Sequence, residues 1–362
     1  MRIVVAPDSF TGSSTAAAAA SAIAAGWLEV RPGDEVLELP QADGGVGTLE
    51  VVARAVPDAV LRSAGSVTGA DGRPARARWL ALPDGRALVE LADCVGLVQM
   101  AAPDPLGAST RGLGELLARV LDAGAERIVI GLGGSGSTDG GTGALAALGA
   151  RFLDADGHPL TDGGGALATL ASIELSVLRP PPAELTLWCD VDAPLTGPRG
   201  AASVFAPQKG ATPDEVRALD AALVRLATVL GGEPDAPGAG AAGGTAYGLR
   251  TAWGARLASG SDAITRLTGL DAAIASADLV ITGEGRVDAS SAGGKVVSAV
   301  LRRADAVGTP VALVAGSFAD GTDDRGAAVS LSRLAGTASV AMSDPPRWLT
   351  EAGRVLACDA RP

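Results

Sequence analysis

Closely spaced charged residues follow a short apolar run in the second half of the chain. Residues 279–281 are consecutive apolar residues, and Glu284, Arg286 and Asp288 come soon after them, separated by small or apolar residues. Such an uninterrupted run predicts a strand that is buried on both faces. Ligands of open α/β sheets bind at the carboxyl ends of strands, and charges are costly there unless they face a metal, a phosphate or each other. The segment therefore predicts one edge of an active site.

Further carboxylates occur in the same setting, after a short apolar run and beside small residues. They are Asp8, Asp43, Asp139, Asp190 and Asp192. A single acid in such a place is often a helix N-cap, and this alternative stays open for Asp8 and Asp139. Several acids that face one cleft are instead suited to holding Mg²⁺ or to activating a hydroxyl group.

A glycine-rich loop follows the predicted strand that ends near Gly131. Residues 131–136 match the pattern GxGxxG, and Asp154 follows at roughly the distance of a ribose-binding acid. A dinucleotide-dependent dehydrogenase is therefore one alternative. Residues 238–243 match the same pattern with no strand before them, so a more general interpretation is a loop whose amides bind an anion.

The chain contains two lysines, Lys209 and Lys295, and one histidine, His158. Both lysines lie in glycine-rich segments, where they are candidates for phosphate contacts. The pair Gly294-Lys295 lacks the earlier glycine of a P-loop. His158 lies in a predicted surface turn, so neither a Ser-His-Asp triad nor a histidine metal site is expected.

Composition narrows the class of protein. The net charge is −12, from 29 basic and 41 acidic residues, which disfavours nucleic acid as a partner. No apolar run reaches the roughly 18 residues of a membrane span, and neither a signal peptide nor a membrane association is expected. The 3 cysteines form no CxxC pair, so we expect a cytoplasmic protein.

The order of predicted elements indicates an α/β fold with two domains. Strands and helices alternate at both ends of the chain, whereas residues 59–91 contain short strands and turn signals. We predict a discontinuous, Rossmann-like parallel-sheet domain over residues 1–64 and 265–362, with an inserted mixed α/β domain over 65–264. A weaker strand is predicted over residues 338–342.

Taken together in chain order, these motifs resemble those of the bacterial glycerate kinase family, of the type without a P-loop, over nearly the full length. The matching segments are Ala6-Pro7-Asp8-Ser9-Phe10, Ala42-Asp43-Gly44-Gly45, Gly131-Leu132-Gly133-Gly134-Ser135, Thr138-Asp139-Gly140-Gly141, Pro207-Gln208-Lys209-Gly210, Thr282-Gly283-Glu284-Gly285-Arg286 and Gly294-Lys295. The resemblance implies two α/β domains with the active site between them. It also implies transfer of the ATP γ-phosphoryl group to a hydroxyl of D-glycerate with Mg²⁺, usually giving 2-phosphoglycerate.

The resemblance assigns expected roles by position. Catalytic candidates are Asp190, Asp288, Arg286 and Lys295; metal candidates are Asp190, Glu284 and Asp288; candidates for binding substrate or phosphate are Asp8, Ser9, Asp43, Gly44, Gly133, Gly134, Ser135, Asp139, Lys209, Gly283 and Glu284. Which acid accepts the hydroxyl proton and which binds the metal stays open. The expected partners are a small hydroxy acid and a nucleotide, and a homodimer is left open.

Four polar positions depart from the usual family pattern. Thr11 replaces a lysine, Val46 a glutamate, Thr138 an asparagine and Gly293 a histidine. Each loss of a charge-assisted hydrogen bond is worth about 1.5–3 kcal/mol. A second hypothesis is therefore a glycerate kinase homologue that has a changed acceptor, or that has lost catalysis and acts as a binding or accessory protein.

Overall fold

The computed structural model describes residues 1–287, 295–319 and 327–360. The chain forms two compact units: unit 1 comprises Met1–Asp43, Glu50–Pro57 and Ser261–Pro362, and unit 2 comprises Gly44–Leu49 and Asp58–Gly260. The boundary placed from sequence between residues 64 and 65 falls inside a strand, Val60–Thr68, that pairs with its neighbour along its length. No helix in the described ranges is long and apolar enough to cross a membrane.

Unit 1 is built on a parallel sheet of 5 strands, β1 (Arg2–Val5), β2 (Glu35–Glu38), β11 (Leu279–Val287), β12 (Val311–Phe318) and β13 (Ala328–Ser330). Their order in the sheet is β13-β12-β11-β1-β2. The helices of unit 1 are α1 (Ala16–Val30), α2 (Thr48–Ala55, whose first two residues belong to unit 2), α9 (Gly260–Thr268, whose first residue belongs to unit 2), α10 (Leu270–Ala275), α11 (Lys295–Val307), α12 (Leu331–Ala335), α13 (Ala338–Ser343) and α14 (Pro345–Asp359).

Alternating side chains of β1 explain why helices cover both faces of this sheet. Ile3 and Val5 pack in one apolar cluster with residues of α1 and α14, whereas Val4 and Ala6 pack in another with residues of α10 and α11. Counted along unit 1, the strand order is 2-1-3-4-5, which reverses direction between β1 and β11. In doubly wound sheets, ligands bind at the carboxyl ends of the two strands that flank this switch point.

The strands of unit 2 are β3 (Val60–Thr68), β4 (Pro74–Ala81), β5 (Arg86–Glu90), β6 (Arg127–Gly131), β7 (Arg151–Leu153), β8 (Ser172–Glu174), β9 (Glu184–Trp188) and β10 (Arg256–Ala258). Six of them form a mixed sheet in the order β10-β9-β6-β5-β4-β3, and β7 and β8 form a separate pair. The helices of unit 2 are α3 (Ala92–Val95), α4 (Arg111–Asp122), α5 (Thr142–Ala147), α6 (Ala201–Phe205), α7 (Pro213–Leu230) and α8 (Ala241–Trp253), with 3₁₀ turns at Leu97–Gln99, Gly164–Thr169 and Pro207–Lys209.

The two kinds of sheet agree with the predicted fold class, a parallel-sheet domain and a mixed α/β domain. In unit 2, β5, β6, β9 and β10 are parallel, and β3, β4 and β5 form antiparallel hairpins. The predicted strand over 338–342 is wrong, because these residues form α13. The hydroxyl of Thr337 caps that helix by accepting the Val340 N–H, and β13 is the last strand of the sheet instead.

Candidate functional site

The carboxyl edge of the unit 1 sheet brings together acids from three neighbouring strands, β2, β1 and β11. Asp43 follows β2, Asp8 follows β1, and Glu284 lies on β11. The chain beyond β1 continues alongside β11, since the Asp8 N–H donates to the Gly283 carbonyl at 2.8 Å. The expectation that strand-end acids cluster at one edge therefore holds for these three residues.

Gly283 lets β11 approach β12 closely. A Cβ at this position would lie 1.8 Å from the carbonyl oxygen of Val314, so any larger residue would push the two strands apart. The Thr282 hydroxyl beside it is buried and donates to the Ala6 carbonyl at 2.7 Å. The structure thus gives Gly283, a predicted ligand contact, a packing function inside the sheet.

The clustered acids perturb one another. Burial, together with the negative charges of Asp43 and Glu284, raises the pKa of Asp8 from its ordinary value of 3.8 to about 8. A hydrogen bond from the Ser9 N–H to the Asp8 carboxylate, 2.6 Å long, opposes this effect. Near neutral pH the Asp8 carboxyl is therefore largely protonated, and a cation bound beside it would favour its ionised form.

Asp8, Ser9 and Glu284 line a cavity of about 380 Å³, the switch-point pocket. It is lined by Asp8, Ser9, Phe10, Thr11, Ser13, Glu284, Gly285, Arg286, Gly316, Ser317, Leu331, Ala338, Ala341, Met342 and Pro345. Arg286 is the one cationic side chain among these lining residues, and its register partner on β12 is Ser317. The pocket thus combines an ionic part with an apolar part.

In unit 2, the Gly44–Leu49 loop packs on the carboxyl ends of β6 and β9. The Gly133 N–H donates to the Gly44 carbonyl at 3.2 Å, and Gly44 itself has a φ of +91°, with Trp188 3.0 Å from where its Cβ would lie. Val46 is 44% exposed, and its Cγ2 lies 2.8 Å from the position of a Cβ on Gly134. The predicted loops around Gly44 and Gly133 are therefore neighbours, and the Gly133 amide is already used.

Glu90 anchors this same loop, and sequence reasoning missed it. Its buried carboxylate accepts the N–H groups of Gly47 and Leu49, each at 3.0 Å, at the start of α2. Burial raises the pKa of Glu90 to about 7, although these two hydrogen bonds oppose the rise. The available signal was an acid that ends a buried strand, the same signal that identified Asp8 and Asp190.

The buried side chains of Asp139 and Lys209 form hydrogen bonds with the segment that follows the glycine loop. Asp139 is completely buried and accepts hydrogen bonds from the Thr110 N–H and hydroxyl, both at 2.8 Å, and from the amides of Gly141 and Gly143 at the start of α5. This geometry is that of the helix-cap alternative, so we assign Asp139 to capping rather than to ligand contact.

The Lys209 ammonium is also buried, which lowers the pKa of Lys209 to about 8 despite the nearby charge of Asp139. It donates to the Ser137 carbonyl and to the Thr138 hydroxyl. A buried ammonium with these partners stabilises the loop that carries Gly133, Gly134 and Ser135.

The remaining predicted residues lie in different places. Asp190 follows β9, is half-buried, and accepts the Gly260 N–H at 3.1 Å. Ser135 is buried, and its hydroxyl lies 3.2 Å from that of Ser137. Asp288 and Gly293 lie outside the described residues. Lys295 begins α11, but its side chain is also outside the described part of the chain.

The dehydrogenase alternative is wrong. Residues 137–141 separate the glycine loop from α5, so no helix begins at the loop as a pyrophosphate site requires. Asp154 follows β7, which pairs with β8 in the separate two-stranded sheet and is not a neighbour of β6. Asp154 instead accepts the N–H groups of Asp156 and His158 in an exposed turn, the setting predicted for His158.

Known proteins match this arrangement over most of the chain. The sequence profile of the glycerate kinase family matches residues 3–360. Glycerate kinase of Bacillus subtilis (strain 168) is 44% identical over 88% of this chain and 85% of its own length. Glycerate 2-kinase of Escherichia coli (strain K12) is 41% identical over 88% of this chain and 86% of its own length.

A solved structure gives the same result for the fold. The crystal structure of a Salmonella typhimurium LT2 protein named as glycerate kinase 2 superimposes with a TM-score of 0.77 at 39% identity, covering 99% of this chain and 97% of that one. The matched range and the level of identity leave no large segment of the chain unaccounted for. The chain therefore belongs to the glycerate kinase family.

Proposed function

We propose that the protein catalyses ATP-dependent phosphorylation of a hydroxyl of D-glycerate, with 2-phosphoglycerate as the product. The observation that carries the proposal is the switch-point pocket, where Asp8, Glu284 and Arg286 from two family motifs line one cavity of about 380 Å³. The E. coli relative named as glycerate 2-kinase supports this choice of product.

Phosphoryl transfer depends on positioning and on neutralising the charge of the transferred group. Arg286 lies in the pocket, and a guanidinium binds anionic oxygens through paired N–H donors. We assign it to the glycerate carboxylate or the phosphates, with Lys295 as the second cation predicted from sequence. Asp190 and Asp288 stay the residues that the family motifs predict as acceptors of the hydroxyl proton.

The charge of the unit 1 edge fits a divalent cation. The raised pKa of Asp8 reflects burial and the charges of Asp43 and Glu284, and Mg²⁺ binds carboxylate oxygens readily. We propose that Glu284 holds Mg²⁺ with help from Asp8 and Asp43, while Asp190 and Asp288 stay predicted ligands. Bound Mg²⁺ supplies neutralisation of phosphate charge.

Within the described residues, one group of three possible metal ligands has its ligand atoms within 4.8 Å of one another. It consists of Asp154, Asp156 and His158 in the exposed turn. A looser set at the pocket suits Mg²⁺, which keeps several waters and phosphate oxygens in its coordination shell.

Backbone amides of the glycine loop are suited to phosphate oxygens. Gly134 is exposed, and within the described residues the amides of Gly134 and Ser135 donate to no protein acceptor. The Gly133 amide is excluded, because it donates to Gly44. We propose that the amides of Gly134 and Ser135 bind phosphate.

A changed acceptor is the second candidate function. Thr11 lines the pocket where the family usually has a lysine, and Val46 exposes an apolar side chain where the family usually has a glutamate. The first difference removes a cation suited to the carboxylate of an acid, and the second removes a carboxylate suited to accept hydrogen bonds from its hydroxyls. A related hydroxy acid would then replace D-glycerate.

The test is ADP release with ATP–Mg²⁺ and a panel of hydroxy acids that includes D-glycerate, with products identified by ³¹P NMR. Arg286→Ala should lose activity, whereas Arg354→Ala, which removes an exposed ion pair with Glu29, should keep it. Turnover of D-glycerate no faster than that of the Arg286→Ala variant contradicts the proposal, and turnover of another acid in the panel supports the second candidate.

A further inference from the structure

The apolar part of the switch-point pocket is left unexplained by the reaction proposed above. Leu331 and Ala341 belong to the unit 1 core, but Met342 and Ala338 of α13 are exposed to the cavity opening, Met342 by 57%. With Pro345, the first residue of α14, these residues form a part of the lining that carries no polar side chain. We call Ala338, Met342 and Pro345 the α13 wall.

D-glycerate would gain little from contact with the α13 wall. Every carbon of glycerate bears oxygen, so the acid presents almost no apolar surface to bury. The pocket, at about 380 Å³, is also within the range of about 300–1,000 Å³ that holds drug-sized ligands. A larger ligand with both an ionic end and an apolar, flat end would fill it.

A nucleoside triphosphate has this division. Its phosphates match the part of the pocket that holds Arg286, Ser9 and Ser317, and its base is a flat ring that packs well against a flexible thioether. The pocket also lies at the switch point between β1 and β11, where doubly wound sheets bind nucleotides. We propose that the nucleobase of the phosphoryl donor binds against the α13 wall, chiefly on Met342.

This inference rests on the proposed kinase function, because it assigns the donor of that reaction to one part of the pocket. Adenosine is the probe that separates the two, since it has the base but no phosphate to transfer. Its binding can be measured whether or not the protein turns over any acid.

The chain has 3 methionines, Met1, Met100 and Met342, so methyl-¹³C methionine labelling of the full protein gives a readable spectrum. Adenosine should move the Met342 resonance upfield by its ring current and leave Met100, in unit 2, in place. The variant Met342→Leu assigns the resonance. A Met342 signal that does not move at saturating ATP–Mg²⁺ or adenosine, in a preparation that phosphorylates an acid, overturns the proposal while leaving the kinase function intact.

Two substitutions on α13 provide a matched kinetic test. Ala338 lines the pocket, whereas Val340, 45% exposed on the same helix, does not. Ala338→Phe should raise the KM for ATP by roughly tenfold, the factor that corresponds to about 1.4 kcal/mol, without changing the KM for the acid. Val340→Phe should leave both constants unchanged.

Equal KM values for ATP in the two variants overturn the inference. If no acid is phosphorylated but adenosine still shifts Met342, the proposed function fails and the base site stands.

Discussion

The carboxylate of Glu90 is the group through which unit 2 holds the Gly44–Leu49 loop, and Glu90→Gln changes its charge at nearly constant size. The two carboxylate oxygens each accept one N–H at 3.0 Å, from Gly47 and Leu49. Glutamine keeps one acceptor and turns the other into an NH₂ donor. The substitution therefore removes both a buried charge and one hydrogen bond, and pH separates the two effects.

The size of the charge effect follows from the pKa of Glu90, which burial and Asp93 raise from 4.5 to about 7 against the opposing effects of the two amides and Arg78. A pKa that is higher in the folded state means that folding favours the protonated acid. This contribution to stability is complete below pH 4.5 and is lost as pH rises through 7. At about 1.36 kcal/mol per pKa unit, the loss is of the order of 3 kcal/mol.

Glu90→Gln has no such titration. The free energy of unfolding of the variant, relative to that of the wild type, should therefore rise by about 3 kcal/mol between pH 5 and pH 8. Any constant cost of the missing hydrogen bond, about 1 kcal/mol, shifts both measurements equally and cancels in this difference.

The assay is urea unfolding at several pH values, followed by hydrogen exchange in peptides of unit 2, so that this unit is measured by itself. Glu215→Gln is the matched control. Glu215 also accepts a backbone N–H, from Thr212 at 2.8 Å, but hydrogen bonds from Thr212 lower the pKa of Glu215. It stays ionised from pH 5 to pH 8, so the effect of its substitution should not change with pH. If the effect of Glu90→Gln on the free energy of unfolding is equally independent of pH, the raised pKa assigned to the buried Glu90 carboxylate is refuted.

Other changes test the remaining contacts. Thr11→Lys should lower the pKa of Asp8, which burial and neighbouring acids raise to about 8, as measured by ¹³C NMR of the carboxyl carbons; an unchanged pKa contradicts the charge balance argued for the pocket. Burial lowers the pKa of Lys209 from 10.5 to about 8. The free energy of unfolding should therefore increase as pH rises from 8 toward 10.5, and urea unfolding of Lys209→Met should not show this increase. Gly283→Ala, whose Cβ would lie 1.8 Å from a carbonyl oxygen, should cost about 3 kcal/mol or more, measured as a fall in Tm, whereas Gly33→Ala, with nothing within 4 Å, should be near neutral.

Local patterns predicted the elements whose ends are fixed by nearby residues. The segment Thr212-Pro213-Asp214-Glu215 has the sequence pattern of a capping box, and the structure contains that box at the start of α7, where Thr212 and Glu215 exchange hydrogen bonds. The deciding interactions lie within a few residues of sequence, where a spacing rule can detect them.

Interactions between distant segments were not predictable from the same patterns. Glu90 lies more than 40 residues from its partners Gly47 and Leu49, with separations of 43 and 41, and nothing in its own neighbourhood indicates that a loop amide will reach it. The strand predicted over 338–342 failed for a related reason. Its residues are small and apolar enough for either element, and they form α13, while β13 is the last strand of the sheet.

The strand-end acids show which part of a site a sequence can predict. That Asp8, Asp43 and Glu284 end or extend apolar strands was visible locally, but their proximity depends on the order β11-β1-β2. The same sequence signal selected Asp139, which the structure buries completely as a helix cap. The position of an acid at a strand end therefore predicts that it lies at the edge of a sheet. It does not predict whether the carboxylate oxygens contact a ligand.

The departures from the family pattern differ in what they change. The Thr138 hydroxyl still meets the Lys209 ammonium, so the loop keeps its internal anchor. Thr11, by contrast, lines the switch-point pocket in place of the usual lysine, and the largest effects on the pKa of Asp8 come from burial, Asp43, Glu284 and Ser9. Losing a cation there makes the pocket more acidic while Glu284 and Arg286 remain in it. Of the two forms of the second hypothesis, we therefore expect a changed acceptor rather than a loss of phosphoryl transfer.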